Sequence, residues 1–446
     1  MKILPKMVAG LVAIFSITVF LLPEASAALD GTTTNETSSL YMFICSLLVF
    51  IMAPAIAIFY GGMLRKQSMT SLMAQCIGVM ALVGFVWWAV GYSLALTGDG
   101  YFIGTLDAVF GNGLSISEGN GNIPTLLFMM FQGMFAIVTA CIVFGATAER
   151  IRYPAILAFL GLWAIFVYAP MAHMVWGGGL FDTWFQDIGL KSQDFAGGTA
   201  VHICSGISGV AAAVAIGRRS ERLPEGRSHN VPLMFIGCMT LWLGWFGFNC
   251  GSEGAFDDIV VLAAYNTLIA SCVSTIVWIF IQYIHVGRVN VTGLCAGVLA
   301  GLVAITPGCG FVEPWAAAVI GAIGAFVGYF GILFMRGKTE IDDALDVMGL
   351  HGFGGIWGAI SVGIFSVSRY SWVGTGGLIE GNLDLLGGQI LSVAITLVYC
   401  FVASFVIMKI IDIVMKKLCG KGAKLTEDEQ MIGADIIEHG EPSYLM

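Results

Sequence analysis

"HICSGISG" at residues 202–209 and "HGFGGIWG" at residues 351–358 are two apolar octets built on one frame: histidine, three residues, Gly-Ile, one residue, Gly. Each lies inside a hydrophobic run long enough to cross a bilayer. An ionisable group in such a run is costly and commonly functional. The small residues beside it let helices approach closely. The first histidine falls in the fifth such run and the second in the tenth. An odd offset of five places the two segments in opposite directions across a membrane, the signature of an inverted repeat whose interface holds a transport path. Two neutral imidazoles meeting there can share one N–H···N bond and offer a donor and an acceptor to a small passing molecule. A lone histidine in a helix can equally be a hydrogen-bonded packing residue; the matched frames are what favour a pore.

The rest of the chain fits that setting. It has 446 residues, 58% hydrophobic and 11% charged, with mean hydropathy +0.88, where soluble domains carry roughly 25% charged residues. The expected fold is an all-α polytopic membrane protein, because only helices or closed barrels satisfy the backbone in lipid and these runs are too long for barrel strands. With roughly 20 residues per span, about eleven spans follow, near residues 40–64, 71–96, 123–147, 152–176, 197–217, 231–250, 259–284, 290–309, 313–335, 347–369 and 386–416. Residues 1–27 read as a signal peptide: Lys2 and Lys6, an apolar run from Met7 to Leu22, and small residues Ala25–Ala27. An uncleaved anchor is the alternative. Residues 28–39 form a short extracytoplasmic start, 40–416 the membrane domain and 417–446 a cytoplasmic tail.

Basic residues set the expected direction. Arg65, Lys66, Arg150, Arg152, Arg218, Arg219, Arg222, Arg227, Arg288, Arg336, Lys338, Lys416, Lys417, Lys421 and Lys424 follow odd-numbered spans, with Lys191 and Arg369 as exceptions. The N-terminus is therefore expected outside and the C-terminus inside. The net charge of −9 reflects acids on the opposite loops, a face that mildly favours cations; no nucleic-acid partner is expected. Most of the eleven cysteines fall in apolar runs without metal-ligand spacing and read as small packing residues. No nucleophile–base pairing, phosphate loop or metal cluster supports an enzyme, and no cofactor or metal is expected.

Several longer motifs sharpen this reading. "DFAGGTAVHICSGISG" (194–209), "FGATAERIRYPA" (144–155), "APMAHMVWGGGL" (169–180), "GWFGFNCGS" (244–252) and "DVMGLHGFGG" (346–355) resemble, in order, the hallmark stretches of the ammonium transporter family, from about residue 38 to the C-terminus. Cys204, Cys250 and Met134 depart from some members at packing positions. The resemblance implies a homotrimer with one pore per subunit, each of eleven helices in a five-plus-five inverted repeat. It also implies roles. Phe135, Trp176 and Ser252 match an outer recruitment site for ammonium or its analogue methylammonium, Phe135 and Phe248 a gate, and His202 and His351 the twin histidines of the pore. Without the resemblance, these aromatics would read as interfacial belt residues. Asp194 is either a helix cap or an aid to deprotonation; Asp346 is expected to stabilise the start of the tenth helix, with a proton role as the alternative.

The activity implied is transport at a bacterial inner membrane. Ammonium is recruited, deprotonated and conducted as ammonia, and the proton moves separately, giving electrogenic net transport. Whether the histidines carry that proton or shape the pore stays open. A passive ammonia channel and a non-transporting ammonium sensor are the alternatives. The tail (425–446) would read as disordered by composition, yet Gly433, Asp435, His439, Gly440, Glu441 and Tyr444 resemble the family's regulatory tail. In bacterial members this face binds the P-II nitrogen signal protein. Membrane lipid is the remaining expected partner.

Overall fold

The computed structural model describes residues 32–119, 121–220 and 228–444; the proposed leader lies outside these. Among the described residues, ten helices are long and apolar enough to span a bilayer: α1 (Glu36–Met63), α2 (Lys66–Leu96), α3 (Thr125–Thr147), α4 (Tyr153–Trp176), α5 (Gly198–Ile216), α6 (Val231–Gly251), α7 (Asp258–Val286), α9 (Pro314–Lys338), α10 (Met348–Phe365) and α11 (Asp384–Cys419). Between α7 and α9 lies a shorter apolar helix, α8 (Val291–Ile305). The only sheet among the described residues is a two-residue antiparallel pair, Thr32–Thr33 with Glu118–Gly119.

The shortness of α8 differs from the expected run to residue 309, and the cause is local. Pro307 has no N–H to continue the ladder, and the chain turns through Thr306–Phe311 while still buried. Irregular backbone at such depth must find partners within the protein. Asn266 of α7 supplies them, donating from Nδ2 to the carbonyls of Cys309 and Val312 at 2.8 Å each. The Thr306 hydroxyl takes the indole N–H of Trp245 at 2.8 Å and itself donates to the Leu302 carbonyl.

The core packs α6 on α1, α7 on α8 and α9, and α5 on α10 and α11. The α5–α10 crossing shows what the glycines of the two octets are for. A Cβ on Gly206, four residues after His202, would meet the Gly352 Cα at 2.5 Å; one on Gly355, four after His351, would meet Ile203 Cγ1 at 3.0 Å. Position +4 of each octet thus presses on position +1 of the other, a reciprocal contact that fixes both histidines at the crossing. On the outside, α11 presents Val398, Val402, Val406 and Ile410 as an exposed apolar row suited to hydrocarbon. All eleven cysteines are free.

Basic residues that the sequence spread over several loops converge at one end of the bundle. Arg219 bridges Glu149 at 2.6 Å and Asp342 at 2.9 Å, and Arg65 reaches Glu149 at 3.1 Å. The tail is ordered against this end, unlike a free acidic terminus. Leu425 N–H donates to the Arg150 carbonyl at 2.8 Å, Arg152 pairs with Glu429 and with Glu438, and buried Asp435 accepts from the Ser71 amide at 2.7 Å. Burial alone would raise the Glu429 carboxyl; the Thr426 amide, Arg152 and Lys421 overcome that and hold it at about 2.

Candidate functional site

Both histidines sit in an altered helix start. α5 opens with a π-helical turn, Gly198–Ile203, and α10 with another, Met348–Gly352; such turns recur at functional positions. Asp194 explains the first. Its Oδ1 accepts the N–H of Gly197 (2.8 Å) and Gly198 (2.7 Å), and its Oδ2 those of Thr199 (2.7 Å) and Ala200 (3.2 Å). The orphan amides of a helix start are thereby satisfied, and the acid faces the positive end of the helix dipole. Burial raises the Asp194 pKa and the four amides oppose that rise. Its main-chain carbonyl also takes the Trp176 indole N–H at 2.8 Å, so one residue anchors both the start of α5 and the aromatic ring.

From that aromatic a file of rings descends. Trp176 stands edge-on to Phe135, with centroids 6.1 Å apart. Phe135 stacks on Phe248 at 4.1 Å and 16°, and both are fully buried, leaving no gap between them. Phe248 lies 6.1 Å from His202. The Ser252 hydroxyl, at the end of α6, donates to the Phe248 carbonyl at 3.0 Å. The neighbouring Glu253 carboxyl is pushed up to about 7 by burial and by Asp257.

His202 Nδ1 and His351 Nδ1 are 3.2 Å apart. Neutral rings in that contact carry the proton on one Nδ1 and a lone pair on the other, so the outer nitrogens differ in kind. His202 Nε2 is buried and has no hydrogen-bond partner among the described residues. Both rings line a narrow void with Tyr60, Val138, Trp245 and Leu350, with about 20 Å³ of room for the centre of a water-sized molecule, the space of roughly one such molecule. The walls are otherwise apolar. Aromatic faces attract a cation by roughly 0.5–2 kcal/mol, whereas an apolar lumen gives a bare alkali ion nothing in exchange for its water.

Asp346 stands just before α10, and its main-chain carbonyl accepts the Leu350 amide at 3.0 Å; its carboxylate is engaged elsewhere. The residue takes φ +57° and forms a two-pronged pair with Arg336, at 2.8 and 2.5 Å. The Met348 amide is accepted instead by Asp343, at 2.7 Å. Three ring residues escaped the sequence reading. Phe131 lies 4.9 Å from Phe135, Trp245 stacks 5.4 Å from His202, and Tyr60 lines the void. Spacings of four in "FQGMF" and three in "WFGF" place the first two on the helix faces of Phe135 and Phe248, a signal that was available.

Fold and site together define a polytopic helical membrane protein with a narrow, histidine-lined void beneath stacked aromatics. The family model described as the Ammonium Transporter Family matches residues 40–444, and the chain belongs to that family. It is 40% identical to an ammonium transporter of Bacillus subtilis over 408 residues, 91% of this chain and 98% of that one. It is 38% identical to one of Aquifex aeolicus, covering 91% and 92%. Among solved structures, Saccharomyces cerevisiae Mep2 matches with a TM-score of 0.79 at 30% identity, covering 89% of each chain. A structure described as a sensor Amt protein matches at 0.79 and 28%, covering 90% and 98%.

Proposed function

We propose that this chain moves ammonium across a bacterial inner membrane by recruiting it outside, deprotonating it and passing ammonia beside the histidines, with net charge transfer. Trp176, Phe135 and Ser252 recruit the cation or methylammonium, Phe135 and Phe248 gate, and His202 and His351 hold the neutral molecule. Asp194 fixes the frame and favours a positive charge nearby. The observation that carries this reading is the closed Phe135–Phe248 stack immediately above the paired imidazoles: a hydrated cation has no passage there, whereas a small neutral molecule needs only ring motion. In the membrane we read eleven spans, α8 included, in a five-plus-five inverted repeat, with N-terminus outside and C-terminus inside. The assembly is a homotrimer, and the docked tail offers the face for P-II protein.

Purified protein in liposomes tests this. A current after an ammonium pulse that decays more slowly as protein is diluted, with none for potassium, supports electrogenic transport. Ammonia influx without sustained current means a neutral channel. The resemblance to a sensor Amt protein favours one second reading, binding without transport; it predicts a brief signal insensitive to protein density and no internal pH change.

A further inference from the structure

We propose that Asp343 is the proton acceptor at the tail end of the path, reached from the histidine void through the hydroxyl of Tyr60. This rests on the electrogenic reading above, which requires a proton to leave the void separately from ammonia.

Asp343 is a carboxylate with unused capacity. One oxygen accepts the Met348 amide; the other, Oδ1, is buried and has no hydrogen-bond partner among the described residues. A buried polar atom left unpaired is costly, and this one lies at the ion-paired end of the bundle with a lone pair to spare. Tyr60 connects it to the pore. Its ring lines the same void as both histidines, and Asp343 and Asp346 lie within its electrostatic reach. The phenol end and Val347, four residues after Asp343, flank one glycine: a Cβ on Gly145 would meet Tyr60 Cζ at 2.9 Å and Val347 Cγ2 at 3.0 Å. The segment bearing Asp343 is tied to that spot, since the Ala344 amide donates to the Ala146 carbonyl at 3.2 Å.

The charged groups around Asp343 suit a transient acceptor. Burial and Asp346 raise its carboxyl to about 6, against the amides of Met348 and Val347 and the charge of Arg150. Asp346 is already held by Arg336, and Asp342, its chain neighbour, is committed to Arg219. Of the three acids, Asp343 is the one whose carboxylate is not engaged in one of these arginine pairs. The step balances. Ammonium gives up one proton at the Phe135–Phe248 stack to the unpartnered Nε2 of His202 just below it; from the void the Tyr60 phenol accepts that proton and passes its own to the Asp343 carboxylate, and the carboxylic acid releases it to water. Ammonia regains a proton from that water, so one positive charge has crossed.

Asp343→Asn tests this in liposomes, because asparagine keeps an oxygen for the Met348 amide. The expected result is a sustained current reduced by about tenfold or more, as for loss of a proton-transfer group, with ammonia influx and melting temperature close to wild type. Wild-type current should fall as internal pH drops through about 6, where Asp343 stays protonated; the variant's residual current should lack this dependence, and Asp343→Glu should restore it. Unchanged current and pH profile in Asp343→Asn overturn the assignment and leave electrogenic transport standing. Loss of ammonia influx along with the current overturns it too, in favour of a capping role. A wild type without sustained current removes the electrogenic reading itself, and the assignment with it.

Discussion

The two histidine turns share one backbone design and are held by opposite means. At the start of α5, a single carboxylate binds four successive amides and every bond is local. At the start of α10 the work is divided: Asp343 takes one amide, while Asp346, in a left-handed conformation, is tied to an arginine of α9. The surroundings diverge as well. His202 lies beneath Phe248 and beside Trp245. The acids ahead of His351 adjoin the ion-paired end, where Arg150 and Arg219 meet Asp342. A near-symmetric frame places the rings, and asymmetric supports hold the two turns that carry them. Four local bonds hold one turn rigidly; the other keeps a carboxylate oxygen free.

The largest test of this contrast is at the rigid turn. Asp194→Ala orphans four buried amides, each worth about 1–3 kcal/mol before relaxation. It should abolish ammonium-driven current and lower the melting temperature of the detergent-solubilised protein more than any substitution at Asp346. Wild-type current with an unshifted melting temperature would show that the turn does not depend on its acid. Next comes the shared element. Replacing His202 and His351 together by Ala should leave the fold and the Trp176 site intact but change selectivity, admitting potassium. Currents recorded with each ion check this, and unchanged ammonium current with potassium still excluded would remove the histidines from the mechanism.

A smaller effect is expected at the divided turn. Asp346→Asn keeps a residue that tolerates positive φ but gives up the charge-assisted pair with a partly exposed arginine. A loss of about 1–2 kcal/mol is expected, read as a modest fall in melting temperature with current largely retained; a collapse as deep as that of Asp194→Ala would erase the distinction between the turns. The smallest effect concerns the tail packed on the ion-paired end. Glu429 is held at about 2, below its ordinary value of 4.5. A carboxyl depressed in the folded state stabilises it fully above the unfolded pKa, and that contribution is lost as pH falls through the folded one. Hydrogen exchange of tail peptides should thus match at pH 7 and pH 5, corrected for intrinsic rate. Protection should fall progressively below about pH 4.5 and the contribution should be spent near pH 2. Loss already at pH 5 would mean that other contacts, not the Arg152 pair, hold the tail.

The membrane class and nearly all spans were legible because lipid imposes a local rule: each crossing segment must be apolar and helical by itself. The exception is instructive. Residues 290–309 have the hydropathy of a span, but helix length there depends on Pro307 and on Asn266 arriving from α7 to cap the exposed carbonyls. Ring residues were legible where a motif carried them and overlooked where only helical spacing did, as for Phe131 and Trp245. Composition alone would have left the tail disordered, since its acids are balanced by arginines far away in the chain.

By itself, then, the sequence determined that this chain lives in a bilayer as apolar helices and that two of them carry a histidine in a matched small-residue frame. Both are consequences of local composition and spacing. Only the tertiary structure decided that the imidazoles meet nitrogen to nitrogen across 149 residues of chain, that Asp194 grips four amides, and that Asp343 rather than Asp346 keeps a free oxygen. Those outcomes depend on angstrom-scale distances between helices, set by glycine contacts and by which arginine reaches which acid, and no periodicity within a single segment encodes them.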